Sequence, residues 1–333
     1  MITLEPIIQF VDIFNIKSEN KINDSNVFYL NSGKASISFL LAYFKYKKIL
    51  KDKNSSVFIP KWVGSPVYQE IAAQAMPSSS TEISHEIYMM YHQYGFSQNF
   101  SKYLSSIKSD NPIIIEDCAH RIEGAVINKG ESIKSYAIYS YNKFLPCLLL
   151  GGIQTSDDEL MDWLRIRMKS ASGSIALNLF KFLDEQLVHS KYFEKKDIFS
   201  TARKMAFSVY SSYPRPLSHS ISMFESGVQK ELDVRKIIYK YISGKAGPLG
   251  LLPDCWESTE APYAIPIRAE IGKLLSIQEE LKNYNIRAPI YHFDYNLNNL
   301  NPRYEKALML PCHSRVTDRN VNLLTEILAR TLS

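Results

Sequence analysis

The sequence predicts an α/β protein, in which a mostly parallel sheet lies between two layers of helices and a smaller α+β domain follows. Short apolar segments rich in β-branched residues alternate with segments whose apolar residues recur at helical spacing. The 333 residues are 45% hydrophobic and 22% charged, which is ordinary for a globular protein with a sizeable core. At about 150 residues per domain, this length is enough for two domains, and we place them at 1–212 and 213–333.

The large domain alternates strands with helices along the chain. Its predicted strands are 27–30, 57–59, 87–90, 113–115, 137–139 and 153–155. Its predicted helices are 5–14, 34–51, 65–75, 100–106, one that begins at 157, and 176–212. In the second of these helices, Ile37, Leu40, Leu41 and Phe44 recur at a spacing that places them on one face. In the fifth, the acidic run 157–159 suits the positive end of a helix dipole.

The small domain begins with a segment that proline and glycine interrupt. Pro214, Pro216, the pair Gly247–Pro248 and Pro253 mark turns there. After them we predict strands at 264–266, near 290 and at 307–310, with helices at 271–284 and from 318 onwards. This mixture is typical of an α+β unit.

Charge, cysteine content and hydropathy exclude several classes of protein. With 39 Lys and Arg against 34 Asp and Glu, the net charge of +5 predicts no nucleic-acid partner. The four cysteines, which lie far apart without a metal-ligand spacing, predict reduced buried thiols and no metal site: Cys118, Cys147, Cys255 and Cys312. The N-terminus lacks a basic region and a cleavage site, and the longest apolar run is too short to cross a bilayer. We therefore expect a cytoplasmic protein that does not bind membranes.

Two side chains that follow predicted strands are candidates for chemistry. Asp117 follows the apolar run 113–115, and ligands of open α/β sheets bind at the carboxyl ends of strands. Asp117 could instead only cap the next element. Lys143 lies between the strand 137–139 and the apolar run 147–150. Apolar surroundings disfavour the ammonium form and lower the pKa of a lysine, as an imine-forming amine requires.

The segment Asn31–Ser36 forms a third candidate, at a strand-to-helix turn. Gly33 and Lys34 resemble the end of a P-loop, but Phe28 and Ala35 stand where that motif needs a glycine and a hydroxyl. The P-loop interpretation therefore fails. What remains is a helix N-terminus that could hold one phosphate.

Several short segments occur in the order found in one enzyme family. They are N-S-G-K-A-S at 31–36, I-P-K-W at 59–62, Y-H-Q-Y-G at 91–95, E-D-C-A-H at 116–120, Y-S-Y-N-K at 139–143, G-G-I-Q-T-S at 151–156 and, more weakly, L-P-C-H at 310–313. In this order they resemble the family's S-G-T/R-A, V-P-x-aromatic, V-H-x-aromatic-G, E-D-A-A-H/Q, F-S-x…K, G-G-x-x-x-T and L-P-x-H. The chain thus resembles the sugar-aminotransferase branch (DegT/DnrJ/EryC1/StrS) of the fold-type-I pyridoxal-phosphate enzymes, whose large domain is like that of aspartate aminotransferase.

The resemblance implies a role for each matching residue around pyridoxal 5'-phosphate. Lys143 would bind the cofactor covalently and move the substrate proton. Asp117 would pair with the pyridine nitrogen, and Ala119 would let the ring lie flat against the backbone. His120 would contact the ring hydroxyl, and Trp62 would stack on the opposite ring face, although Trp62 also fits an ordinary core position.

The phosphate grip and the substrate residues follow in the same way. The phosphate would be held by Ser32, Gly33, Lys34 and Ser140. For substrate binding the candidates are Arg215, His313 and Arg315. His313, like His92, also fits a packing or hydrogen-bonding role, which we favour over a catalytic one.

Three positions depart from the family pattern. Lys34 replaces Thr or Arg, Asn142 replaces the arginine of the branch with the same short serine-to-lysine spacing, and Tyr213 replaces the Asn of G-x-N-x-R. These departures put the phosphate grip and unaltered catalysis in question.

The resemblance implies a homodimeric pyridoxal-phosphate aminotransferase. It would move an amino group from an amino acid, with glutamate expected, to a keto sugar that a nucleotide carries, in surface polysaccharide or related biosynthesis. One alternative is a degenerate cofactor-binding or scaffolding protein. Another is a pyridoxamine-phosphate-dependent sugar dehydratase, against which Lys143 argues because those enzymes carry His at that position.

Overall fold

The computed structural model describes residues 2–5, 27–122, 133–145, 147, 149–170, 214–216, 218–247 and 261–332. Seven strands form the large sheet: β1 (Val27–Leu30), β2 (Ser56–Phe58), β3 (Met76–Ser78), β4 (Ile87–Tyr91), β5 (Ile113–Asp117), β6 (Lys134–Tyr139) and β7 (Gly151–Gln154). The helices that pack on it are α1 (Gly33–Tyr46), α2 (Ser65–Ala72), α3 (Phe100–Ser105), α4 (Asp158–Ser170) and α5 (Ser218–Ala246). Two 3-10 turns, η1 (Gln93–Gly95) and η2 (Tyr141–Lys143), each follow a strand.

The strands of the large sheet lie in the order β1-β7-β6-β5-β4-β2-β3. Strands β3, β2, β4, β5 and β6 are parallel, whereas β7 runs antiparallel to both β6 and β1. Helices α1, α2 and α4 cover one face, and α3 and α5 cover the other. The predicted three-layer, mostly parallel sheet is confirmed.

The small sheet is antiparallel, with β10 (Tyr304–Pro311) between β8 (Ala264–Ile267) and β9 (Ile290–Asp294). Helices α6 (Ile271–Asn283) and α7 (Asp318–Leu332) share a core with this sheet and with the C-terminal half of α5. The predicted strands and helices of this part of the chain are confirmed, each to within a few residues.

Helix α5 is the main element that the sequence interpretation missed. Its buried positions recur every three or four residues, as in Phe224, Val228, Leu232, Tyr239 and Ile242. The charged residues Glu231 and Arg235 are buried in the same stripe and interrupt the apolar pattern. Charged residues normally lie on the solvent face of a helix, so the sequence pattern did not predict a helix here.

Two other differences concern strand β3 and the end of α1. Strand β3, which was not predicted, has three residues, one of them proline, and pairs with β2 at the edge of the described sheet. Helix α1 ends at Tyr46 rather than at 51, and Lys48 follows with a φ of 56°. That left-handed backbone stops the helix even though the apolar spacing continues to Leu50.

Some predictions lie outside the described residues. These are the helices at 5–14 (beyond Glu5) and 176–212, Tyr213 and the boundary between 212 and 213, so the two-domain division stays a prediction. Cys118, Cys147 and Cys312 are buried thiols as expected, and Cys255 is not among the described residues. Across the described ranges, we find no helix that is both long and apolar enough to cross a bilayer.

Candidate active site

The candidate site lies where three parallel strands end at one edge of the large sheet. Tyr91 is the last residue of β4 and Asp117 the last of β5, and the two are register partners. Turn η2, which carries Lys143, comes directly after β6 and Ser140. The carboxyl ends of parallel strands lie side by side, so residues from three separate segments meet here.

Asp117 is buried, with only 2% of its surface exposed. Its Oδ1 accepts a hydrogen bond from the Ala119 N–H at 3.0 Å. Burial raises the pKa of Asp117, while the positive charge of Lys143 and the Ala119 N–H lower it in part. A cationic group placed against this carboxylate would therefore stabilise its ionised form.

Lys143 and His120 form a hydrogen-bonded pair above the sheet edge. The Lys143 Nζ lies 3.0 Å from His120 Nε2, and the Tyr91 hydroxyl lies 2.7 Å from His120 Nδ1. Both Lys143 and His120 are half-buried, so a ligand can reach them. Burial and the charge of Lys143 hold the pKa of His120 well below its usual value of 6.5, which makes the imidazole neutral at pH 7.

Two tyrosines fix the orientation of the His120 ring by stacking. The Tyr263 ring lies 4.3 Å from it at 9°, and the Tyr94 ring lies 5.4 Å from it at 15°. The chain approaches closely at Gly95, whose φ is +96° and where a Cβ atom would lie 2.7 Å from the Tyr263 nitrogen. Glycine at this position therefore lets the segment that precedes β8 reach the site.

The N-terminus of α1 is the candidate phosphate seat. Ser32 caps the helix: its Oγ accepts from the Ala35 N–H at 3.1 Å and donates to Asn31 Oδ1 at 2.9 Å. The Ser140 side chain lies against this turn, because a Cβ on Gly33 would be 3.1 Å from the Ser140 Cβ. The turn and the end of β6 thus present an electropositive helix end and two buried hydroxyls in one place.

Lys34 and Trp62 each contact another side chain in the structure. Lys34 forms an ion pair with Glu70 of α2, with 3.3 Å between Nζ and Oε1. Trp62 is 45% exposed, so it is not a core residue, and it stacks on His292 of β9 at 3.9 Å and 5°. It therefore connects the loop that follows β2 to the small sheet.

The three substrate-binding candidates have different surroundings. Arg215 is exposed and its Nε donates to the Met168 carbonyl at 3.0 Å, while Arg315 is half-buried. His313 is 1% exposed: its Nδ1 accepts from the Arg315 N–H at 3.1 Å and its Nε2 donates to the Thr3 carbonyl at 2.8 Å. Burial, with the nearby charge of Arg235, lowers the pKa of His313 to about 4. This arrangement favours the packing role for His313.

A second buried cluster lies beside the site and was not anticipated. His92, Glu116 and Cys118 bring a ring nitrogen, a carboxylate oxygen and a sulfur within 4.8 Å of one another. The His92 Nδ1 accepts from the Gln98 N–H, so its Nε2 carries the hydrogen and donates to Glu116 Oε2 at 3.1 Å. That ring nitrogen is engaged in a hydrogen bond, which is the arrangement of a buried polar pair.

The tyrosines of the site were missed by the sequence interpretation. The rule that singled out Asp117, a polar group at the carboxyl end of a strand, would also have found Tyr91. Tyr94 occupies the aromatic position of the V-H-x-aromatic-G pattern, although no role was assigned to it, and no local signal marks Tyr263, whose ring only the tertiary structure brings against His120.

Comparisons with known proteins identify the fold. No protein-family model matches the sequence, and no curated protein matches it significantly. Among solved structures, the sugar aminotransferase CalS13 from Micromonospora echinospora superimposes with a TM-score of 0.65 at 13% identity, over 99% of this chain and 100% of that chain. A DegT DnrJ EryC1 StrS aminotransferase from Brucella abortus gives a TM-score of 0.62 at 14% identity, over 91% and 85% of the two chains.

A third similar structure belongs to a different reaction class. GDP-4-keto-6-deoxy-D-mannose-3-dehydratase of E. coli, solved with bound hydrated pyridoxal phosphate, gives a TM-score of 0.62 at 16% identity, over 96% of this chain and 90% of that chain. The chain therefore has the fold of these enzymes, as predicted. At such identities, activity has to be argued from the residues of the site.

Proposed function

We propose that the protein is a pyridoxal-phosphate-dependent aminotransferase that moves an amino group from an amino acid to a keto sugar. The observation that carries the proposal is the lysine amine of Lys143, 3.0 Å from a neutral His120, at the sheet edge where Asp117 is buried. The fold shared with solved sugar aminotransferases supports it. Glutamate as donor, a nucleotide-linked acceptor, a role in polysaccharide biosynthesis, a cytoplasmic location and a homodimer belong to the same proposal.

The described residues fit pyridoxal phosphate chemically. Its aldehyde needs an accessible amine, which Lys143 offers, and its pyridine nitrogen needs an anion that keeps it protonated, which Asp117 offers. Burial raises the pKa of Asp117 because it disfavours the ionised carboxylate, and a protonated pyridine nitrogen beside it would stabilise that ionised form. Its phosphate needs an electropositive seat, for which the capped N-terminus of α1 and Ser140 are suited.

Each residue would then have a limited task. When bound, the cofactor supplies an aldehyde that condenses with amines and a ring that accepts electrons. Lys143 would bind it covalently and carry the substrate proton on Nζ. Asp117 would hold the proton on the ring nitrogen, and His120, oriented by the two stacked tyrosines, would donate to or accept from the ring hydroxyl. Ala119 would keep the space beside the ring clear.

Two alternatives predict different behaviour at the same site. A sugar dehydratase is among the solved structures of this fold, but Lys143 supports covalent binding of the cofactor and so favours the transferase. A protein that binds the cofactor without turnover would keep the Lys143 attachment and ignore amino donors.

Mass spectrometry after borohydride reduction tests the proposal directly. The protein is incubated with pyridoxal phosphate, reduced and digested, and the modified residue is mapped. We expect the reduced pyridoxyl group on Lys143, a visible absorbance band that disappears on reduction, and bleaching of that band when glutamate is added.

Two lysine variants provide the matched comparison. Lys143→Ala should abolish the visible band with the fold intact, whereas Lys61→Ala, at an exposed lysine, should retain it. Attachment to another lysine would refute the site. A band that no amino donor bleaches would refute the transferase and support the binding protein.

A further inference from the structure

The Tyr91 hydroxyl is the third member of a hydrogen-bonded chain that ends at Lys143. His120 lies in the middle, with Nδ1 facing Tyr91 at 2.7 Å and Nε2 facing Lys143 at 3.0 Å. Tyr91 is 8% exposed, and among the described residues its hydroxyl has no other hydrogen-bond partner. The placement of one hydrogen on His120 therefore affects groups on both of its sides.

The hydrogens of this chain can be assigned by elimination. Burial raises the pKa of Tyr91 and lowers that of His120, so the phenol keeps its hydrogen and the imidazole has only one. If that hydrogen were on Nδ1, it would point at Tyr91, and the phenol hydrogen would be buried without an acceptor, which is costly. If it is on Nε2, Tyr91 donates to Nδ1, and the phenol hydrogen and the imidazole hydrogen both have acceptors, provided that Lys143 Nζ accepts. An amine can accept only when it is unprotonated, since an ammonium group has no lone pair.

We propose that Tyr91 is a positioning residue, which donates to His120 Nδ1, holds the imidazole in its Nε2–H tautomer and thereby favours the unprotonated amine of Lys143. The proposal rests on the function proposed above, because it explains how that lysine is ready to condense with an aldehyde. It adds a residue to which the resemblance gives no role: the family pattern has valine at position 91, which has no hydroxyl.

Tyr91 is fixed at the site from the segment between β9 and β10 as well as from β4. Its backbone N–H donates to Asn299 Oδ1 at 2.8 Å, and the Asn299 N–H donates to Gln98 Oε1 at 2.9 Å. In the next turn the Gln93 side chain donates to the His292 carbonyl at 2.8 Å. These bonds already restrict the conformations of Tyr91. The hydrogen bond to His120 therefore costs less conformational entropy.

The other groups around the pair act equally in any comparison that changes only Tyr91. Within the described part of the chain, the titratable groups around Lys143 and His120 include Asp117 from β5, Tyr94 from η1 and Tyr263 before β8, with Arg235 of α5 behind the neighbouring Phe144. Asp117 favours the ammonium form and opposes Tyr91. Because Asp117 remains in place when Tyr91 becomes Phe, the loss of the hydroxyl is isolated.

The tautomer can be observed in the protein without cofactor. Nitrogen-15 NMR of histidine-labelled protein distinguishes Nδ1–H from Nε2–H imidazoles, and the His120 signals are assigned by their absence in His120→Gln. We expect the Nε2–H tautomer in the wild type and a larger share of Nδ1–H in Tyr91→Phe. An Nδ1–H tautomer in the wild type would overturn the proposal, and that result does not depend on whether Tyr91→Phe folds.

The consequence for Lys143 is measured as the pH dependence of attachment. The rate at which the apoprotein binds pyridoxal phosphate covalently is recorded between pH 6 and 10. Loss of one hydrogen bond should move the midpoint for Tyr91→Phe upward by about 0.5 to 1 pH unit, which slows attachment about 3- to 10-fold below the midpoint. Tyr94→Phe is the matched control, since Tyr94 stacks on the same imidazole without a hydrogen bond to it, and its midpoint should stay in place.

The two proposals fail in different ways. If no lysine binds pyridoxal phosphate in the wild type, the proposed function fails, and the NMR result still decides the role of Tyr91. If Lys143 binds it but Tyr91→Phe and the wild type share one midpoint, the role of Tyr91 is refuted while the function stands.

Discussion

Acid destabilisation through His313 can be predicted in size as well as in direction. The pKa of this buried histidine falls from its ordinary value of 6.5 to about 4 on folding. At pH values between about 4 and 6.5, His313 is therefore protonated in the unfolded chain but not in the folded protein. At about 1.36 kcal/mol for each pKa unit, the gap amounts to about 3 kcal/mol. This contribution is fully present above pH 6.5 and is lost as the pH falls towards about 4.

Urea unfolding at several pH values between 7.5 and 4 measures this loss. His313→Asn is the informative variant, because its side-chain oxygen can still accept from the Arg315 N–H but does not titrate. The variant should be less stable than the wild type at pH 7.5 and should lose about 3 kcal/mol less on acidification. His120 also destabilises the protein in acid, but it does so equally in both proteins. Parallel loss of stability in wild type and variant would refute the assignment.

Two further predictions concern buried contacts. Arg235 is fully buried and its Nε lies 2.6 Å from Glu231 Oε1, so Glu231→Met should cost about 3–5 kcal/mol in urea unfolding by leaving the guanidinium uncompensated. The double variant Glu231→Met/Arg235→Met should be less destabilised than the two single variants together, and strict additivity would contradict the coupling. In β7, a Cβ on Gly151 would lie 2.2 Å from the Ser32 carbonyl carbon. Gly151→Ala should therefore lower the melting temperature and reduce the free energy of unfolding by about 1–3 kcal/mol. Gly272→Ala, with no atom within 4 Å of the added Cβ, is the control, and equal melting temperatures in the two variants would count against the contact.

The fold was predictable because its apolar periodicity is strong and local. Buried strands such as β5 read as continuous apolar runs, and helices such as α1 show one apolar face. Helix α5 escaped because Glu231 and Arg235 lie within its buried stripe. A charge pair buried in a helix face can be identified only when both partners are seen together, since in sequence each resembles a solvent-facing residue.

The candidate site was predictable in part. Asp117, His120 and Lys143 are brought together as the motif order suggested, because each follows a strand of the same parallel sheet. Their chemical roles stay predictions. Trp62 lies on His292 of the small sheet, and its stacking on the cofactor ring stays a prediction.

The sequence by itself determined the order of most strands and helices, with α5 and β3 as exceptions, and the positions of the aspartate and the lysine, because strand ends and apolar runs are local properties of the chain. Only the tertiary structure decided which groups contact them. The Tyr91 hydroxyl reaches His120 through the alignment of β4 with β5, and the Tyr263 ring reaches it from a distant segment. Hydrogen bonds and ring stacking depend on distances of a few ångströms between residues far apart in the chain, and these are set only when the whole chain packs.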